Sequence, residues 1–244
     1  MSQKSYSGIK RGGSGKKDVT TLEYKEFEAT PKDGGPKDDT YDYGYDGAET
    51  TKWFEDNSNF RTILGAATAE DRDALEAFTT GHFMNGQQYL GFSSMSSRDQ
   101  RFVRSYDKML DQAVMRSSVT LTRSSTAELL FGGGKKTATL EELQSMKGRV
   151  VTSKANLSSA AAKRGLTIGD GSKQIEYKIH VPAGSKGAGM YIGVNGYHAW
   201  GERQREFMIN RDTDWRVGDT RYNKKTGMYE VDLYFQGLLP HDYR

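Results

Sequence analysis

The hydrophobic pattern of this chain changes period partway along, and that change most restricts what it can fold into. Ser97-Arg-Asp-Gln100 has the form of a capping box, and behind it Phe102, Val103, Tyr106, Met109, Leu110, Ala113 and Val114 recur at helical spacing. From Val119 the spacing shortens: Val119-Thr-Leu-Thr-Arg123 alternates as a strand does. Further strands are expected at Arg149 to Ser153, Gln174 to Val181, Met190 to Val194, Glu206 to Ile209, Trp215 to Val217 and Met228 to Phe235. Two short helices interrupt them, one over Leu140 to Met146 with Thr139 and Glu142 as its box and Gly148 as its stop, the other around Ser158 to Lys163 closed by Gly165. Helices first and short strands later predict an α+β domain.

The first fifty residues follow neither pattern. Met1 to Lys17 is built from Ser, Gly, Lys and Arg, and Asp18 to Asp46 turns acidic, so this stretch cannot bury enough apolar surface to offset its ordering entropy. Residues 1–50 are therefore expected to form a largely disordered tail, or one that docks on a partner, and residues 51–244 a folded domain. A second helix start is expected at Thr68-Ala-Glu-Asp71, with Leu75 and Phe78 on its apolar side.

Composition removes several chemistries. The 244 residues include no cysteine, which excludes disulfides, thiolate metal sites and cysteine nucleophiles. The four histidines lack the spacing of a helical metal pair, so no metal is expected. A net charge of +3 gives little support for nucleic acid or membrane as the main partner. No run is apolar enough for a membrane span or a signal segment, so a cytoplasmic monomer is the expectation, acting in the producing cell or after delivery into another. Gly132-Gly133-Gly134-Lys135 and Gly184-Ser185-Lys186-Gly187 are not phosphate loops, since Leu129 occupies the first motif glycine, and both read as hairpin turns. Leu233-Tyr-Phe-Gln-Gly237 has the form of a tag-protease site, yet it continues an alternating strand and reads as native.

Three separated segments carry the chemistry. Thr122-Arg123-Ser124 ends one strand, Val151-Thr152-Ser153 ends another, and Gln204-Arg205-Glu206 opens a third. Alternation along a strand would put Glu202, Gln204 and Glu206 on one face. A surface alternation of charges, and for Arg123 an ordinary salt bridge, would account for the same residues singly.

Taken in order, the set resembles the Arg, Ser-Thr-Ser, Glu/Gln-x-Glu signature of the mono-ADP-ribosyltransferases, in the branch of binary toxins, C3-like exoenzymes and phage-encoded enzymes. The similarity runs from about Thr68 to Val217. Phe78-Thr79-Thr80-Gly81-His82-Phe83 through Gln87-Gln-Tyr-Leu90 looks like the family's helical Tyr-Thr…Ile-Asn-x-x-Leu segment, with Phe78 for tyrosine and Gln87 for asparagine. Val181 to Ile192 looks like the strand-loop-strand before its catalytic loop.

The resemblance implies two packed, mostly antiparallel sheets behind an N-terminal helical portion, and transfer of ADP-ribose from NAD to a macromolecular acceptor. Breaking the nicotinamide–ribose bond develops a ribosyl cation, which calls for a carboxylate beside it and a fixed cation for the pyrophosphate. Glu206 takes the first role and Arg123 the second, its planar fork matching phosphate oxygens. Ser124, Thr152, Ser153 and Gln87 would complete the NAD site. The second motif keeps only two of three hydroxyls, in a register left open between Val151 and Thr152 as its first position.

Tyr197, Trp200 and Gln204 would face the acceptor, although Trp200 could equally pack under its own loop. A glutamine amide cannot serve as the base an arginine acceptor needs, which favours other acceptors, protein first and nucleic acid second, while Glu202 on the same strand face could substitute as that base and keeps arginine open. The rival functions are a plain NAD glycohydrolase and a non-catalytic binding or virion-associated protein retaining the fold. No Gly-x-Gly-x-x-Gly follows a strand, so a Rossmann unit is not expected.

Overall fold

The computed structural model describes residues 48–80, 91–161, 166–167, 175–193 and 205–243. Most of the expected tail, the segment containing Gln87, and the loop containing Tyr197, Trp200, Glu202 and Gln204 lie outside these residues. Helix begins at residue 48, just ahead of the expected boundary, with α1 (Ala48–Asn57) followed by α2 (Phe60–Ala66) and α3 (Ala69–Thr80).

The N-terminal caps explain where the helices start. At α3 the Asp71 amide donates to Thr68 Oγ1 at 3.1 Å, and the Thr68 amide donates back to Asp71 Oδ2 at 3.0 Å. Asp71 also accepts from the Ser105 hydroxyl at 2.6 Å, so the cap fastens α3 to α4 (Ser97–Asp111). Burial pushes the Asp71 carboxyl up, but the Ser105 and Thr68 hydrogen bonds outweigh it and hold the group below the usual carboxylate range. The cap of α4 is Ser96, one residue earlier than expected, because its hydroxyl accepts the Asp99 amide. Phe102, Val103, Tyr106, Met109 and Leu110 form the buried stripe of α4, as their spacing requires.

Two short helices follow β1 (Val119–Ser125): α5 (Glu128–Phe131) and α6 (Leu140–Gln144), the latter with the expected Thr139–Glu142 capping box. The remaining strands are β2 (Val150–Ser153), β3 (Leu157–Ala160), β4 (Leu166–Thr167), β5 (Ile175–Val181), β6 (Gly189–Tyr191), β7 (Glu206–Ile209), β8 (Thr213–Asn223) and β9 (Met228–Leu238). The helix expected around Ser158 is in fact strand β3, paired with β1 on one side and β7 on the other. Alanine and lysine favour helix weakly, and two open strand edges offer this segment more than its own propensity does. Only small side chains occupy its fully buried positions, Ser159, Ala160 and Ala161.

The strands make one continuous path, β2-β8-β9-β5-β1-β3-β7-β6, with β4 on β1. The two separate sheets expected from the resemblance are thus joined in the hydrogen-bond pattern, and β1 with β4 and β5 with β9 run parallel. Leu233 to Gly237 lies inside β9, where Leu233 and Phe235 are buried, as a native strand should be.

Candidate active site

Glu206 is the first residue of β7, and the backbone fixes it from both sides. Its carbonyl accepts the amides of Ile192 at 2.9 Å and Gly193 at 3.2 Å, while the preceding Arg205 carbonyl accepts the Ala161 amide at 2.9 Å. Thr51 of α1 reinforces this, its hydroxyl lying 3.1 Å from the Gly193 carbonyl and 3.0 Å from the Tyr191 hydroxyl. Arg205 has φ 48°, a left-handed conformation uncommon away from glycine, so the chain turns sharply into the strand. The strand itself begins at Glu206, and Gln204 and Glu202 lie outside the described residues. The Glu206 side chain is buried.

Register connects Glu206 to the arginine strand. Glu206 pairs with Ala160 on β3, and Ala160 pairs with Thr122 on β1, the residue before Arg123. At Arg123 the edge of β1 passes from β3 to β4, and the guanidinium reaches across, its Nη1 donating to the Ser158 carbonyl. Arg123 and the Glu206 strand thus share one intermediate strand. Ser124, buried, follows on β1 opposite Glu176.

Thr152 and Ser153 are placed elsewhere. They lie on β2 at the end of the sheet, with β8, β9 and β5 between them and β1. The Thr152 hydroxyl donates to Asp214 Oδ1 at 2.5 Å, and that of Ser153 to the Ala155 carbonyl at 2.7 Å, so both serve local structure. In the strand order they adjoin neither the Arg123 strand nor the Glu206 strand. The hydroxyls between Arg123 and Glu206 belong to Ser158 and Ser159, which the sequence reading missed. The Ser159 hydroxyl donates to the Phe207 carbonyl at 2.8 Å, tying β3 to β7, whereas the Ser158 hydroxyl is buried with no partner among the described residues. Two adjacent serines in a small-residue segment were the available signal, hidden by the helix assignment.

Helices α3 and α4 bring aromatic residues to the same region. Phe78, expected to stand for the family's tyrosine, stacks on the fully buried Tyr106 with centroids 4.1 Å apart. Burial pushes the Tyr106 phenol well up, and the neighbouring charge of Glu206 pushes it further.

A buried carboxylate, an arginine one strand away and hydroxyls on the strand between them are set on a mixed sheet behind helices. The family profile described as ADP-ribosyltransferase exoenzyme matches residues 47–234, and the chain belongs to that family. It is accordingly an NAD-dependent mono-ADP-ribosyltransferase, with NAD as substrate. No curated protein sequence matches the chain.

Among solved structures it is similar to C3stau2 of Staphylococcus aureus, determined with NAD, at 18% identity and TM-score 0.60, over 78% of this chain and 95% of that one. The toxin Plx2a of Paenibacillus larvae is similar at 14% identity and TM-score 0.65, over 81% and 100%. The C3 exoenzyme of Clostridium limosum gives 15% and TM-score 0.61, over 81% and 98%. At these identities the likeness is one of fold.

Proposed function

We propose that Glu206 drives cleavage of the nicotinamide–ribose bond, that Arg123 holds the NAD pyrophosphate, and that the acceptor is a protein side chain other than arginine. The observation that carries this is the register linking Glu206, Ala160 and Thr122, with Arg123 next along β1. The bonding pair of the glycosidic bond leaves with nicotinamide, and the ribosyl cation left at C1′ is stabilised by the Glu206 carboxylate. The acceptor then attacks C1′ and releases its proton.

Arg123, resting on the Ser158 carbonyl, exchanges that contact for phosphate oxygens when NAD enters, since a charge-assisted fork to phosphate is the stronger interaction. Ser158 and Ser159 take over the hydroxyl role first given to Thr152 and Ser153. Gln87 on the NAD side, and Tyr197, Trp200 and Gln204 on the acceptor side, keep their roles on sequence position alone. Gln204, being neutral, supports an acceptor that needs a hydrogen-bonding partner and no base.

Purified protein incubated with labelled NAD and a cell lysate, beside Glu206→Ala, tests the reading. Label on protein should fall at least ~100-fold in the variant, as when a main source of transition-state charge stabilisation is removed. Label on nucleic acid would replace the acceptor class, and nicotinamide release without transfer would point to a glycohydrolase. Equal transfer by both proteins would refute the role of Glu206.

A further inference from the structure

The turn that ends the Glu206 strand is gripped by a strap formed after β9. β7 stops at Ile209, and Asn210, Arg211 and Asp212 follow it directly. The chain returns over this turn: the Leu239 amide donates to the Asp212 carbonyl at 2.8 Å, and Arg211 Nη1 donates to the Asp242 carbonyl at 3.4 Å. Tyr243 reaches α4, its hydroxyl donating to Asp107 Oδ2 at 2.9 Å while the Arg104 guanidinium lies 4.5 Å over its ring. Residues 239–243 thus tie the end of β7 to α4, and they lie beyond the family match, which ends at residue 234.

The hold of His241 in this strap depends on a proton. Its buried ring sits with Nε2 2.9 Å from Asp111 Oδ1 and Nδ1 3.1 Å from Asp212 Oδ2. An ionised carboxylate only accepts, and a neutral imidazole carries a single N–H, so both contacts are hydrogen bonds only when the ring is imidazolium. Once the proton is lost, one ring nitrogen turns a lone pair toward a carboxylate oxygen. The charged and titratable groups around the ring are Asp107, 4.0 Å away, and Asp111 from α4, Arg211 and Asp212 from the turn, and Tyr243 on the strap; Lys154 approaches Asp212 from the rim at 3.8 Å. Arg211 already serves Asp107 and Asp212, so among the described residues His241 is the one cation paired with Asp111. Burial works against the charge on the ring, but the hydrogen bonds to Asp111 and Asp212 outweigh it and raise the group to about 9.

We propose that residues 239–243 form a proton-dependent latch, closed by the His241 imidazolium and opened by its loss, that holds β7 against α4 and so keeps Glu206 in register for NAD. The effect on catalysis rests on the assignment of Glu206 above; the latch itself does not. A histidine raised in the folded state contributes fully below its unfolded value and loses that contribution as pH rises through the folded one, so the latch is closed at neutral pH and opens toward alkaline pH. Its opening is local, because β9 stays paired with β5 and β8 while the strap is held by a handful of side-chain contacts.

The test is long-range proton–nitrogen NMR of the four histidines from neutral to alkaline pH, with His241→Gln identifying the resonance, beside nicotinamide release over the same range. Both ring nitrogens of His241 should carry protons at neutral pH. On titration the amides of Leu239, His241 and Tyr243 should move to unfolded positions at the midpoint of the ring, with those of β9 unchanged. Nicotinamide release should fall about tenfold through the same midpoint, as a displaced catalytic group would cause, whereas His241→Gln should be low already at neutral pH and lack the step. Asp111→Asn, which removes one negative charge from the ring, should lower the midpoint by about one unit. A neutral His241 ring at neutral pH, or strap amides that move only when β9 does, would overturn the latch. A strap that opens while nicotinamide release holds would overturn its control of catalysis. Glu206→Gln as active as the wild type would refute the assignment of Glu206 and the catalytic half of the proposal, with the latch still decided by the NMR titration.

Discussion

The hydroxyls of β2 and β3 differ in what they bond. Thr152 uses its hydroxyl on Asp214 and Ser153 on a carbonyl two residues away, whereas Ser158 keeps a buried hydroxyl with no partner among the described residues, next to the Arg123 contact. Ser158→Ala should therefore lower nicotinamide release about fivefold, the scale of one neutral hydrogen bond, without lowering Tm. Thr152→Val should leave release unchanged and reduce Tm modestly. Parallel steady-state assays and melts of the two variants check this; a reversed ranking would return the hydroxyl role to β2. Both hydroxyl pairs were visible in the sequence, but only strand pairing tells which one lies beside the arginine strand.

Among the elements, β6 and β7 are the pair on which Glu206 depends. Gly189 opens β6 at φ 149°, and a Cβ built there would lie 2.3 Å from the Met208 carbonyl and 2.6 Å from the Phe207 ring. The strands can approach this closely only without a side chain. Gly189→Ala is expected to destabilise the fold by ~1–3 kcal/mol through overpacking and to displace β7, lowering activity more than the stability loss alone explains. Chemical denaturation and activity of the fraction still folded measure the two effects separately. Elements with a strong local signal were legible beforehand, among them α4 from its apolar stripe, α6 from its capping box and β7 to the residue. Helix was wrongly expected at β3, because alternation cannot register in four residues of which three, Ser158, Ser159 and Ala160, have small side chains.

Across the whole molecule, a buried charge cluster joins α4, the β7–β8 turn and the residues after β9. Arg211 binds Asp107 and Asp212, and His241 lies between Asp111 at 2.9 Å and Asp212 at 3.1 Å. Burial lowers the imidazole's affinity for a proton, but hydrogen bonds to Asp111 and Asp212 prevail and raise His241 from 6.5 to about 9. A raised histidine stabilises the fold fully below its unfolded value and loses that contribution as pH rises through the folded one. Asp71, Glu230 and Asp232 are held low, so their contribution is present above the ordinary carboxylate range and lost on acidification. Tm should accordingly be highest between about pH 5 and 6.5 and fall toward pH 9, and His241→Gln should flatten the alkaline side. A melt series across pH tests this, and an alkaline fall of equal size in the variant would remove His241 as its cause. Among the described residues no helix is long and apolar enough to cross a membrane.

Local chemistry, written in short stretches of sequence, decided where most helices and strands form. Helical spacing, capping boxes and strand alternation each depend on neighbours within a turn or a strand and gave the class of fold, while the ordered motifs, through their resemblance to a known family, implied the reaction. Contacts distant in sequence were decided only by the tertiary structure. Strand order sent Thr152 and Ser153 to the sheet end and brought Ser158 and Ser159 between arginine and glutamate. Packing set His241 among aspartates. Pairing and burial are sums over the whole chain, so no local window holds them.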